Sequence, residues 1–173
     1  MQDAAPATMT DEETAAFAEQ VFNCARSGDA DLLERLLDSG LPVNLRNGKG
    51  DSLLMLASYH GHFQAVQVLL NHGADPLLAN DNGQMPIAGA AFKGDLPMIK
   101  LLLEHGVPVD AAAADGRTAL MLAAMFNRMD ILEFLLSRGA DPAHRDARGA
   151  TALVAAQTMG AVEAMARLQA LAD

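Results

Sequence analysis

The sequence predicts an all-α solenoid of five stacked helix–turn–helix units with projecting β-turn fingers, the outer two units serving as end caps. The first observation is a grid of glycines. Gly40, Gly73, Gly106 and Gly139 are each 33 residues apart, and so are Gly50, Gly83, Gly116 and Gly149. A third series runs Gly28, Gly61, Gly94 and Gly160, with Asn127 in the vacant place. Asn tolerates left-handed backbone better than other non-glycine residues, so even this exception fits. The second observation is the period itself, which marks an array of supersecondary units, each resting on its neighbours. The third is composition. Hydrophobic residues make up 51% of the chain but aromatics only 4%, with no Trp. The core must therefore be Ala, Leu, Val and Met, which favour closely packed helices.

Along the chain, residues 1–13 read as a short disordered lead and 14–173 as the repeat domain. The units fall at about 14–46, 47–79, 80–112, 113–145 and 146–173. Thr10-Asp11-Glu12-Glu13 has capping-box spacing ahead of the first helix. The first unit begins with a longer helix and has Phe17 in the register of Gly50. The last unit stops after its second helix. Both departures suit end units, each of which must face water on one side.

Each middle unit opens with a short apolar stretch: "SLLMLASYH", "MPIAGAAFK", "TALMLAAMF", and in the last unit "TALVAAQTM". Such a stretch makes about two helical turns before the next glycine or asparagine stops it. A second helix follows in "HFQAVQVLLNH", "DLPMIKLLLEH" and "RMDILEFLLSR". Asp95 is placed to cap one of them, and Pro97 falls in its first turn, where a missing N–H costs nothing. His72, His105 and Arg138 stand at the C-terminal ends, where a basic group meets the negative end of the helix. A polar turn then projects outward before the next unit.

The segments "DNGQMPIAGAAFKGDLPMIKLLLEHGVPVD" and "ADGRTALMLAAMFNRMDILEFLLSRGADP" resemble the ankyrin repeat, G-x-T-P-L-x-x-A-A-x-x-G…LL-x-x-G-A-D. The resemblance covers residues 14–173. Within that family, "GDSLLMLASYHGH", "GAAFKGD" and "TALMLAAMFNR" are similar to a group of proteobacterial proteins, some of them associated with catalase and peroxide defence. The usual Thr-Pro-Leu-His helix start appears as Ser52-Leu53-Leu54-Met55, Met85-Pro86-Ile87-Ala88, Thr118-Ala119-Leu120-Met121 and Thr151-Ala152-Leu153-Val154. No unit keeps the His. The resemblance gives that His a part in hydrogen bonding between units, so apolar packing is expected in its place.

The resemblance implies a concave groove bordered by fingers, and function as a binding surface. The positions it turns toward the groove are Tyr59-His60, Phe92-Lys93, Met125-Phe126 and Thr158-Met159. Tyr59, Phe92 and Met125 would form an apolar stripe about 20 Å long at ordinary helix spacing. Exposed aromatic stripes anchor partners; the alternative is that these side chains fold down as core. The fingers supply polar groups: Arg46, Lys49 and Asp51 in the first, Asp81, Asn82 and Gln84 in the second. Asp115 and Arg117 belong to the third, Arg145 and Arg148 to the fourth. They form the rim of a protein-binding site or, alternatively, are solvated turn residues. Ala88-Gly89 stands where the neighbouring units have Met55-Leu56 and Met121-Leu122. Gly inside a helix costs about 1 kcal/mol relative to Ala. Either a larger neighbour fills the space, or a dent accepts a partner's side chain.

Reactive chemistry has little support. Cys24 falls in register with Ala57, Ala90, Ala123 and Ala156, a small-residue packing position, where a thiol acts as a small hydrophobe. His60 and His62 straddle Gly61, and no H-E-x-x-H or Cys–His set occurs, so no metal is expected. Neither a G-x-S-x-G motif nor a phosphate loop is present, and no cofactor is expected. The net charge of −10 repels phosphate backbones and anionic lipid, which disfavours nucleic acid and membrane surfaces as partners. No apolar run approaches a membrane span. The start does not read as a signal peptide, which points to the cytoplasm, or to the periplasm if such a peptide has been removed.

The expectation is thus a non-enzymatic, monomeric protein-binding module. Its partner is another protein, and net charge suits a basic one. The narrower resemblance implies a place in bacterial oxidative-stress defence. The alternatives are an inhibitor or immunity-type protein that blocks a toxic partner and, from a different class, a small thiol-dependent redox enzyme using Cys24.

Overall fold

The computed structural model describes residues 10–172, which form ten helices and no sheet. In chain order these are α1 (Asp11–Ser27), α2 (Ala30–Asp38), α3 (Leu53–Tyr59), α4 (Phe63–Asn71) and α5 (Pro86–Lys93). They continue as α6 (Leu96–Glu104), α7 (Ala119–Met125), α8 (Met129–Ser137), α9 (Ala152–Met159) and α10 (Val162–Ala172). Odd-numbered helices stack as an inner row, α1 on α3 and onward to α9, while α4 rests on α2 and α6 on α4 outside them.

Of the expected lead, residues 1–9 lie outside the described residues. The remainder is already committed to structure, because α1 starts at Asp11, three residues ahead of the expected boundary. The capping box is the cause. The Glu13 N–H donates to Thr10 Oγ1 at 3.2 Å, and the Thr10 N–H donates to Glu13 Oε2 at 2.8 Å.

The inner helices begin on side-chain caps. Ser52 Oγ accepts from the Met55 N–H at 3.0 Å, and Thr118 and Thr151 make the same bond at 3.4 Å. Met85 makes no side-chain cap; Pro86 in the first turn sets the helical backbone instead. The inner helices stop at left-handed residues, and Asn127 takes that conformation with φ 51°. Its Oδ1 then accepts from the Ala164 N–H in the next unit at 3.0 Å.

The repeat period sets the core. Val21, Leu54, Ile87 and Leu120 form one buried ladder; Leu33, Val66, Ile99 and Leu132 form a second. Each large side chain so buried contributes about 1.5–3 kcal/mol. Ala57, Ala90, Ala123 and Ala156 are fully buried and let the inner row approach closely. Cys24, in the same register, is only half-buried, because among the described residues the inner row ends at α1 and no helix covers its outer side. Where the family's His is missing, Met55, Ala88 and Met121 are buried, as expected of apolar packing, whereas Val154 is exposed at 43%.

Fingers are joined through backbone. The Asp81 N–H donates to the Lys49 carbonyl at 3.1 Å, Ala114 to Gly83 at 3.0 Å and Ala147 to Asp115 at 2.9 Å. Side chains add to this link between the first two fingers, where Arg46 reaches Asp81 and Asn80 reaches Asp51.

Candidate functional site

An open groove of about 540 Å³ crosses α3, α5 and α7 beneath the first three fingers. Its floor is made by Met55 and Leu56 of α3, Ala88 and Gly89 of α5, and Leu122 of α7. Tyr59, Phe92, Met125 and Phe126 rise from the same helices to line it. Tyr59 is 41% exposed and Phe92 44%, so neither side chain folds down as core; Met125 and Phe126 are half-buried. The rings of Phe92 and Phe126 meet edge to face at 5.0 Å between centroids.

The rim comes from the fingers. Lys49, Asp51, Asn82, Gln84 and Arg117 all border the groove, as does Asn80. Asp81, Asp115 and Arg148 do not line it. Nor do His60 and Lys93, which flank a second depression of about 400 Å³ with Asp95 and Pro97. Lys93 is nevertheless tied to the stripe, with Nζ 4.5 Å from the centre of the Tyr59 ring.

Several of the polar groups are already engaged within the fold. Asp81 accepts from Arg46 at 2.9 Å across neighbouring fingers, and the same guanidinium donates to the Gly50 carbonyl at 2.9 Å. Asp51 accepts from Asn80 at 2.9 Å and from Asn47 at 3.3 Å. Asp115 accepts from its own finger's Arg117 N–H at 3.1 Å and lies 3.5 Å from Arg117 Nε. These residues shape the rim before they read anything. Arg145 holds its own turn, donating to the Gly149 carbonyl at 2.8 Å. In the same finger Asp146 accepts from the Ala150 and Arg148 N–H groups, and these bonds hold its carboxyl below the usual range.

The space above Ala88-Gly89 is open. The units on either side carry Leu56 and Leu122 at the register of Gly89, so the floor drops by one side chain in the middle. The Tyr59 ring borders this dent, 3.4 Å from where a Cβ on Gly89 would stand, and leaves it accessible. Met55, Leu56 and Leu122 were not among the expected site residues. A helical signal could have found them: they stand three or four positions before Tyr59 and Met125, on the same helix face.

Charge is segregated. The fingers (46–51, 79–84, 112–117 and 145–150) and the inner helices that follow them carry Arg46, Lys49, Lys93, Arg117, Arg145 and Arg148. Against these six cations stand only Asp51, Asp81, Asp115 and Asp146, a local surplus of two positive charges in a chain of net charge −10. The expectation of a basic partner came from the chain average, which the groove face does not share.

No reactive cluster accompanies the groove. Among the described residues, no three His, Cys, Asp or Glu side chains converge as a metal site, and no helix is long and apolar enough to cross a membrane. The Cys24 thiol lies in α1, outside the groove, with its pKa raised by burial and then by Asp29.

Helix pairs repeated at a fixed period, joined by backbone-bonded fingers and hollowed along the inner row, define a solenoid repeat protein. The family model for ankyrin repeats (3 copies) matches residues 21–113, 73–146 and 89–172. The chain belongs to the ankyrin-repeat family, whose arrays are protein–protein interaction modules. An ankyrin repeat protein of Pseudomonas aeruginosa is 57% identical to it over 63 residues, 36% of this chain and 37% of that one. The chain thus spans little more than a third of that relative's length.

Proposed function

We propose that this chain is a non-enzymatic docking protein that holds a partner protein in the groove across α3, α5 and α7 and under the first three fingers. The observation that carries this reading is an open apolar trough with two exposed aromatic anchors and a polar rim. That is the anatomy of an interface hot spot: buried anchors in the centre, hydrogen-bonding groups around them. One copy carries the whole groove, which supports binding by a single copy. The similarity of "GDSLLMLASYHGH" and "TALMLAAMFNR" to proteobacterial ankyrin proteins of peroxide defence favours a partner from oxidative-stress defence.

The test compares wild type with the Tyr59→Ala/Phe92→Ala double variant as bait in a lysate of the source bacterium. Both side chains are exposed, so the variant keeps its helical circular dichroism. Partners held through the groove disappear from the variant's eluate. A captured set that is the same for both baits would rule the groove out.

A further inference from the structure

We infer that the groove receives an extended, acidic segment of its partner, with one bulky apolar side chain seated on Gly89 and carboxylates meeting the cations on either side. This rests on the docking function proposed above and names the occupant's chemistry. Two independent observations lead to it.

The first is shape. Leu56, Gly89 and Leu122 share one register, and only the middle unit lacks the side chain. The dent therefore lacks the leucyl group of its neighbours; the Tyr59 ring forms one wall, 3.4 Å from the place of a Gly89 Cβ, and Phe92 lines the same groove. The dent suits one Leu, Met or Phe. A stripe about 20 Å long accommodates about six residues of extended chain, so the anchor has two or three neighbours on each side.

The second is charge. Among the described residues, Lys49, Lys93 and Arg148 stand in no ion pair. Of the finger carboxylates, Asp81 is paired with Arg46 and Asp115 with Arg117, while Asp51, oriented by the neutral amides of Asn80 and Asn47, keeps its charge on the rim; the surplus of cations over carboxylates on this face remains two. Lys49 and Arg117 border the groove from two fingers, Arg117 in an exposed pair with Asp115, and Lys93 lies beside Tyr59. A basic segment would set its charges against these cations. The excess negative charge lies elsewhere on the molecule, and beyond about 10 Å it is screened at ordinary salt. Contact chemistry in the groove therefore favours carboxylates.

The experiment is selection of a random peptide display library, about ten residues long, on the wild-type protein, followed by anisotropy titration of the enriched peptides. The expected peptides share one Leu, Met or Phe flanked by Asp or Glu. Their affinity falls about tenfold or more on Gly89→Leu, and likewise on Lys49→Glu/Arg117→Glu, and it weakens with salt. Gly89→Leu places in the dent the residue that its neighbouring units already carry, so the helix accepts it. The charge variant tests the inference without touching the core. Enriched peptides that are basic or uncharged yet lost on Gly89→Leu overturn the acidic occupant and leave groove docking standing. Enriched peptides indifferent to Gly89→Leu and to Tyr59→Ala/Phe92→Ala overturn both. A library with no enrichment overturns the inference, while partner capture judges docking separately.

Discussion

The Asn44 side chain accepts a hydrogen bond from the Asp75 N–H, 31 residues away, at 2.9 Å. Two units later Asp110 accepts from the Asp141 N–H at 3.0 Å. Between them the same register holds Leu77 and Pro108. Where the acceptor is missing, the donor is missing as well. Asn44→Ala removes one such bond and should cost about 1 kcal/mol by urea denaturation. Leu77→Asn should gain nothing, because Pro108 has no N–H to offer. A stabilising Leu77→Asn would contradict this pairing.

Gly28 and His62 are fitted to one another in a similar way. His62 Nε2 donates to the Arg26 carbonyl at 2.7 Å, which lays the imidazole over Gly28. A Cβ on Gly28 would come within 2.5 Å of that ring, and φ there is 76°. Left-handed backbone alone costs a non-glycine residue about 1–2 kcal/mol, so Gly28→Ala should cost more than that. Adding His62→Ala clears the ring and should make the double variant less unstable than the sum of the singles. Strict additivity would show that the ring does not press on this site.

The stack was legible in the sequence because its causes are local and repeat. Left-handed turns need Gly or Asn, buried ladders need Leu, Ile or Val, and both recur at one period. The stripe positions Tyr59, Phe92 and Met125 came from the ankyrin resemblance laid over the same grid. The groove floor did not, because Met55, Leu56 and Leu122 have the pattern of core residues, and Met55 and Leu56 are in fact buried beneath it. Nor could the sequence tell which finger carboxylates were free. Asp81 is taken by Arg46 across 35 residues and Asp51 by Asn80 across 29, pairings that exist only once the units are stacked. Net charge is silent on this for a related reason: an average over the chain hides where the cations gather.

Cys24 should behave as a packing residue. Burial and the nearby Asp29 raise its thiol pKa, and thiolate is the reactive form. Iodoacetamide should therefore modify it more slowly than it modifies glutathione at the same pH. Ala fills the equivalent place in the other units, so Cys24→Ala should leave both melting temperature and partner capture near wild type. A thiol-dependent turnover abolished by Cys24→Ala would show instead that the cysteine acts chemically.

His72 gives the stack a dependence on pH whose sign the geometry sets. Its Nδ1 lies 2.8 Å from the Val68 carbonyl and its Nε2 3.2 Å from the Asp38 carboxylate of the preceding unit. Both neighbours are acceptors. A neutral imidazole has one N–H and can serve only one of them, while the protonated ring serves both. The Val68 bond first, then Asp38, raise the pKa above its ordinary value, and Glu34 adds to this. A folded-state pKa above the unfolded one stabilises the fold fully at pH below the unfolded value, about 6.5, and the effect disappears as pH rises through the folded value. The melting-temperature advantage of wild type over His72→Gln should therefore shrink as pH rises from below about 6.5 through the raised folded-state pKa. Asp38→Asn should lower the His72 pKa read by NMR without returning it fully to normal, since the Val68 carbonyl remains. A His72 pKa at or below the ordinary value, or an advantage that grows with pH, would contradict a protonated link between the first two units.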